Sequence, residues 1–323
     1  MMNKENGTFI ISLDLELFWG QFDQMNIDEY KENVKGVYDI VPKLLELFDK
    51  YNIKATWATV GFLLAKDSTE AKSLIPKVLP NYENDKISPY SYLNTLNNLN
   101  NDKFHFAPEL VELISKSRDQ DLGSHTFSHY YLIEKGQNLE SFESDLEAVK
   151  NVFNSKSYDI PRTIVFPRNQ VNQSYMHKLI EEGYKAYRGV QSSKFYQPIR
   201  KEAEKLSTKI IRLIDSYINL TGHHAYKINY DENIINLKQS MFLRPYNNIL
   251  FFLEALKIAR IKKAMLHAAK HNKTFHLWWH PHNFGVNQQN NLNNLVLILN
   301  YFVELKEKYN FCSENMSTVL RNK

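Results

Sequence analysis

Two carboxylates stand two residues apart near the start of the chain, in FIISLDLELFWG (residues 9–20). Strand side chains alternate, so Ser12, Asp14 and Glu16 share one face while Ile11, Leu13, Leu15 and Leu17 share the other. Two acids on one face repel unless a cation or an arginine offsets them, or one takes up a proton. SHTFSH (124–129) offers the complementary chemistry. The four-residue spacing of His125 and His129 predicts one helical turn with both imidazoles on one face, suited to two ligands on one divalent ion. The pair follows a predicted strand end, where α/β folds place their sites. A carboxylate from a neighbouring strand end completes a two-histidine, one-carboxylate set with positions open for water and substrate.

Two later stretches add groups. In VFPRNQ (165–170) Arg168 follows a strand that ends at Pro167, and its guanidinium can hold a carboxylate ionised by charge and bidentate hydrogen bonding. In FHLWWHPHNFG (275–285) alternation puts His276, Trp278 and His280 on one face and Leu277 and Trp279 on the other. His280 stands at the strand end and His282 follows the proline. A histidine there suits a general acid, and a tryptophan beside a polar pocket suits stacking on a sugar ring. Trp57, Pro167, Asn169, Trp278, His282 and Asn283 are the substrate-lining candidates. His105, His177, His267 and His271 have no companion ligand in the sequence, and His223–His224 reads as loop.

These residues need strands to hold them. Strands are predicted at 8–17, 53–59, 121–127, 162–167, 184–189 and 274–280. Helices are predicted at 41–51 (with Pro42 at a first helical position), 107–120, 145–156, 173–183, 249–271 and 294–309. Strands alternating with helices imply an α/β fold with a mainly parallel sheet. Residues 67–104 are polar, Asn-rich and weakly periodic, and read as an insertion or lid after the second strand; 190–245 give no clear pattern. The 323 residues read as one domain. The single cysteine, Cys312, excludes an internal disulfide and a cysteine-based zinc site. A net charge of +4 without clustered Arg/Lys motifs gives no nucleic-acid footprint. The N-terminal apolar run is short and broken by Asp14, so a cytoplasmic protein is expected.

In this order the motifs resemble the polysaccharide deacetylase family (carbohydrate esterase family 4, the NodB-homology domain). SLDLE looks like its first acid pair, KATWATVG like its next strand, and HTFSH like its His-[Ser/Thr]-x-x-His motif. FPRNQ looks like its Arg/Pro motif in changed order, and HLWWHPHNFG like its late Leu…His motif. The resemblance spans roughly residues 8–190 and 274–285. It implies a distorted (β/α)7 barrel, a divalent ion of the zinc type (Co2+, Ni2+ or Mn2+ as alternatives) and removal of an acyl group from an N-acylated sugar. By the same resemblance Glu16, His125 and His129 are metal ligands and Asp14 is the general base. Arg168 orients Asp14, and His280 is the general acid. Glu16 stands where the family usually has a second Asp, which leaves the roles of Asp14 and Glu16 open to exchange.

An intracellular substrate, an acetylated or formylated amino sugar linked to a nucleotide or lipid, fits the expected location. Segment 248–273 carries Lys257, Arg260, Lys262, Lys263 and Lys270 among apolar residues, a pattern for peripheral contact with anionic membrane. A non-sugar amidohydrolase, or a non-catalytic sugar-binding protein with the same fold, are the competing expectations.

Overall fold

The structure, a computed structural model, describes residues 6–96, 102–200 and 203–322; residues 97–101 of the expected insertion lie outside the described residues. Among the described residues nine strands form one sheet: β1 (Thr8–Leu15), β2 (Ala55–Thr59), β3 (Gln120–Ser124), β4 (Thr163–Val165), β5 (Ala186–Arg188), β6 (Ile235–Asn236), β7 (Met241–Phe242), β8 (Thr274–Trp279) and β9 (Cys312–Glu314). Their order is β6-β5-β4-β3-β2-β1-β8-β7, with β9 beside the start of β1, and every pairing is parallel. The segment from β6 to β7 changes neighbours along its length. Leu237 N–H donates to Tyr187 O (2.9 Å) on the β5 side, then Ser240 N–H to His276 O (2.8 Å) and Leu243 N–H to Trp278 O (2.8 Å) on the β8 side. One extended segment thus spans both edges, and the sheet curls into a distorted (β/α)7 barrel.

Parity along β1 separates two interiors. Phe9, Ile11, Leu13 and Leu15 face the helices with Trp57 and Trp279, in the large apolar core. Ile10, Ser12 and Asp14 face the barrel axis, beside Ala58 and Trp278. At the axis a small cluster of Ile10, Ala58, Val165, Ala186, Ile235 and Leu237 fills the lower barrel. Polar groups gather above it, at the C-terminal ends of the strands.

The helices are α1 (Ile27–Lys35), α2 (Val37–Tyr51), α3 (Ser68–Ser73), α4 (Pro89–Thr95), α5 (Pro108–Ser115), α6 (Leu139–Ser155), α7 (Met176–Glu181), α8 (Leu206–Asp215), α9 (Glu254–Lys270) and α10 (Gln288–Tyr309). Helix α2 starts at Val37, so Pro42 lies inside it and not at its first position; the buried stripe Val37, Ile40, Val41, Leu44, Leu45 and Phe48 carries the helix through. The described part of 67–104 holds α3 and α4, whose Ala71 and Leu93 reach the main core. The basic stripe expected on 248–273 is divided. Lys257 and Arg260 are each 2% exposed. Lys257 Nζ bonds Glu254 (2.7 Å) and the Arg244 carbonyl (2.9 Å), and Arg260 Nε bonds the Asp215 carbonyl (3.3 Å). These two cations anchor α9 inward and do not belong to a solvated basic face. Among the described residues no helix is long and apolar enough to cross a membrane.

Candidate active site

Strand β1 delivers Asp14 inside its last turn of pleat and Glu16 just beyond its end, after which Leu17 takes a left-handed backbone (φ 46°). The Glu16 carboxylate lies where a Cβ on Gly20 would stand 1.9 Å from its Oε1, so only glycine at 20 leaves room for it. Glu16 Oε2 is 3.2 Å from His125 Nε2 and 3.1 Å from His129 Nε2. The sequence predicts these histidines on a helical turn, but they stand on an irregular loop after β3, with Thr126 (φ 64°) and His129 (φ 61°) left-handed. Such backbone costs energy and persists where its surroundings over-determine it. The surroundings here are Asp145 of α6, whose carboxyl accepts from Phe127 N (2.7 Å), Ser128 N (3.1 Å) and Ser128 Oγ (2.6 Å). Burial pushes the Asp145 carboxyl up to about 6 against those three bonds, so the loop's donors hold much of its charge. Asp145→Ala is expected to weaken divalent-metal affinity about 10–100-fold, read by titration in metal-buffered solution, because the loop loses its common anchor.

The donor set fits a cation. His125 Nδ1 is 2.9 Å from the Val165 carbonyl, which can only accept, so Nδ1 carries the proton and Nε2 turns a lone pair toward Glu16. Two imidazole nitrogens then converge on one carboxylate oxygen, an arrangement that repels unless a divalent ion or added protons sit among them. Burial would raise the Glu16 carboxyl, but its cationic surroundings, His280 first and then His125 and His129, hold it well below the ordinary carboxylate range. Burial lowers His129, opposed by Glu16.

Glu16 also forms a three-donor group with His280 and His282. Nε2 of His280 is 3.6 Å from Glu16 Oε1 and 3.7 Å from Asp14 Oδ2, and Nε2 of His282 is 3.9 Å from Glu16 Oε1. Tyr30 O–H donates to Asn283 Oδ1 (3.3 Å), which turns the Asn283 amide N–H onto His280 Nδ1 (3.2 Å). His280 therefore carries its proton on Nε2, the nitrogen beside both carboxylates. His282 is buried, neither of its ring nitrogens has a hydrogen-bond partner among the described residues, and burial beside the His280 charge pushes it down to about 3.

Asp14 is clasped from β5. Arg188 donates Nη1 to Oδ1 (2.6 Å) and Nη2 to Oδ2 (2.7 Å), with further bonds to Ser12 Oγ (3.0 Å) and Asn169 Oδ1 (3.1 Å). Its guanidinium lies 4.2 Å over the Trp278 ring. Burial would raise the Asp14 carboxyl; Arg188, helped by His125 and His280, outweighs it and holds the group below its usual value. The expected Arg168–Asp14 pair is not formed. Arg168 (φ 53°) bonds Asp23 and lies over the Tyr131 ring at 4.1 Å, because the left-handed turn after Pro167 aims it along the rim.

The remaining candidates divide by position. Trp278 lies at the axis beside Arg188 and lines a cavity of about 390 Å3 with Asn169 and His280. Asn283 holds His280, and Asn169 holds Arg188. Trp57 is fully buried among the helices, its Nε1 on Gln120 (3.0 Å), and lines no substrate cavity; it pairs with Leu13, one residue out of phase with Asp14. Pro167 is buried where it starts the turn after β4, and buried His282 likewise offers no substrate surface. Arg188 and Asp145 emerge only in the structure, as does the bond of His276 to Ser12 Oγ (2.8 Å). The signal for Asp145 is an acid on the apolar stripe Phe142, Leu146 and Val149.

The fold has solved counterparts. A Mycobacterium smegmatis protein assigned as a polysaccharide deacetylase superposes with a TM-score of 0.62 at 13% identity, covering 100% of this chain and 92% of its own. A Pseudomonas aeruginosa PAO1 protein assigned to the same activity gives 0.51 at 11% identity, covering 97% and 89%. A 4-alpha-glucanotransferase from Thermococcus litoralis gives 0.52 at 12% identity, covering 99% of this chain and 41% of its own, so this likeness speaks for fold and not for chemistry. No curated protein matches the chain. Residues 22–187, just over half of the sequence, match the polysaccharide deacetylase family; the match includes His125 and His129 and leaves Asp14, Glu16 and His280 to be placed by the barrel. The chain belongs to the polysaccharide deacetylase family.

Proposed function

We propose that the chain is a metal-dependent hydrolase that removes an N-acyl group, acetyl or formyl, from an amino sugar carried on a nucleotide or lipid. In this reading it serves cell-surface polysaccharide synthesis from the cytoplasm, at the inner face of the membrane. Glu16, His125 and His129 hold the ion, Zn2+ in this reading, which supplies Lewis acidity and lowers the pKa of water. Asp14, kept ionised by Arg188, takes the proton from the attacking water. His280, protonated on both ring nitrogens for this step, gives its Nε2 proton to the amide nitrogen as the carbon–nitrogen bond breaks and is left as the neutral imidazole, so amine and carboxylate leave together. Trp278 offers its face to the sugar ring. The observation that carries the reading is the placement of His280 Nε2 within 3.7 Å of Asp14 and 3.6 Å of Glu16, an acid beside a base and beside the donor set. Exposed Ile249, Phe251 and Phe252 (80%, 60% and 64%) support a lipid-borne substrate.

The test is acetate and formate release from N-acylated sugars that are free, nucleotide-linked or polyprenyl-phosphate-linked. Chelation is expected to abolish release and added Zn2+ to restore it. Release that persists in chelated protein, or that occurs only from non-sugar amides, would sink the reading.

A further inference from the structure

The cavity beside His280 contains charge that the chemistry at Asp14 does not use. Three arginines line it, and two are matched within the protein: Arg168 by Asp23 and Arg212 by Glu204 (2.6 Å). Arg244 is the third. Among the described residues no carboxylate pairs with its guanidinium and no hydrogen bond is made by it; its guanidinium carbon lies 6.0 Å from the Phe242 ring. The same Phe242 ring stands 5.7 Å from the His280 ring and 4.7 Å from Trp278, so one aromatic side chain separates Arg244 from the reacting groups. The one carboxylate of α8 on this wall, Asp215, is spent on Tyr196 O–H (2.9 Å) and Thr221 Oγ1 (2.8 Å).

A half-buried guanidinium without a counter-ion is costly, because burial strips water from a charge that nothing repays. Burial, with Arg212 close by, lowers the Arg244 pKa against the help of Tyr217 and Tyr196. Two residues of the cavity wall also carry unpaired polar groups: the Trp278 Nε1–H donor and the Gln239 Oε1 acceptor are buried without hydrogen bonds among the described residues. A ligand that satisfies all three brings an oxyanion for Arg244, and sugar oxygens or hydroxyls for Trp278 and Gln239. Arg212 next to Arg244 favours a doubly charged group over a carboxylate.

We propose that this cavity is an oxyanion-binding subsite in which Arg244 holds a phosphate ester borne by the sugar substrate. The proposal rests on the deacylase reading for the identity of the sugar and on the cavity alone for the anion.

Calorimetric binding of glucosamine 1-phosphate, glucosamine and glucuronic acid to wild type, Arg244→Gln and Arg244→Lys decides it, since none of these compounds can be deacylated. Wild type is expected to prefer the phosphate ester to glucosamine at least about 10-fold, a preference lost in Arg244→Gln and largely kept in Arg244→Lys. A preference that survives Arg244→Gln, or glucuronic acid binding as tightly as the phosphate ester, would overturn it. Metal-loaded wild type that binds the phosphate ester selectively, yet frees neither acetate nor formate from any of the free, nucleotide-linked or polyprenyl-phosphate-linked N-acylated sugars, leaves the subsite standing and removes the deacylase reading instead.

Discussion

Glu16→Gln and Asp14→Asn are expected to fail in different ways. Glu16→Gln loses bound metal and, with it, turnover. Asp14→Asn keeps its metal and loses turnover by about 10²–10⁴-fold, the usual worth of a positioned base. The division follows from what each carboxylate already touches. Glu16 Oε2 is the point on which His125 Nε2 and His129 Nε2 converge, and His125 is locked in the ligating tautomer by the Val165 carbonyl. Replacing Glu16 with an amide removes the one negative charge in that set. Both Asp14 oxygens accept from Arg188, which holds the group charged, with lone pairs left to take a proton. Metal content by mass spectrometry, beside acyl release, separates the two variants. The opposite pattern, with Asp14→Asn empty of metal and Glu16→Gln loaded, would exchange the roles.

Parity and order were legible in the sequence, while long-range pairing was not. Alternation along β1 alone puts Asp14 and Glu16 on one side, and the same rule applied across the β1–β2 register sets Trp57 on the other; the register is a tertiary fact that no single strand contains. Arginine choice fails for a similar reason. Arg168 follows one short strand and Arg188 ends another; the left-handed turn at Arg168 and Asn169 carries Arg168 along the rim, while the position of Arg188 in β5 aims it at Asp14. The histidine pair misleads about local shape, because four-residue spacing suits a helical turn as well as a loop held open by Asp145 from another element. Residues 190–245 resist pattern reading since β6 and β7 are two residues each, stabilised by β5 and β8 and not by their own periodicity.

Arg188→Met is expected to damage stability as well as turnover. Arg188 links Asp14 to a buried chain in which Ser12 Oγ joins His276 Nε2 (2.8 Å) and His276 Nδ1 donates to Leu237 O (3.2 Å). Removing one partner of a buried ion pair leaves the other charge stranded, at a cost of about 3–5 kcal/mol. The variant also changes how stability depends on pH. In the wild type His276 is neutral, pushed down to about 3 by burial and by the Arg188 charge. Its unfolded counterpart titrates near 6.5, so its contribution is complete above that pH and is lost as pH falls toward 3, by up to about 1.4 kcal/mol per unit. Asp14, held low by Arg188 against burial, acts in the same sense at the acid end of that range. Without Arg188 the His276 pKa climbs toward its unfolded value and burial carries Asp14 above its own, which makes Asp14 destabilising as pH rises. Denaturant unfolding between pH 3 and 6.5 is therefore expected to show stability rising with pH in the wild type. In Arg188→Met the same plot is expected to be shallower, because Asp14 loses its main lowering partner and His276 keeps only the part of its depression that burial supplies. Parallel curves for the two proteins would mean that Arg188 does not govern the protonation of this chain.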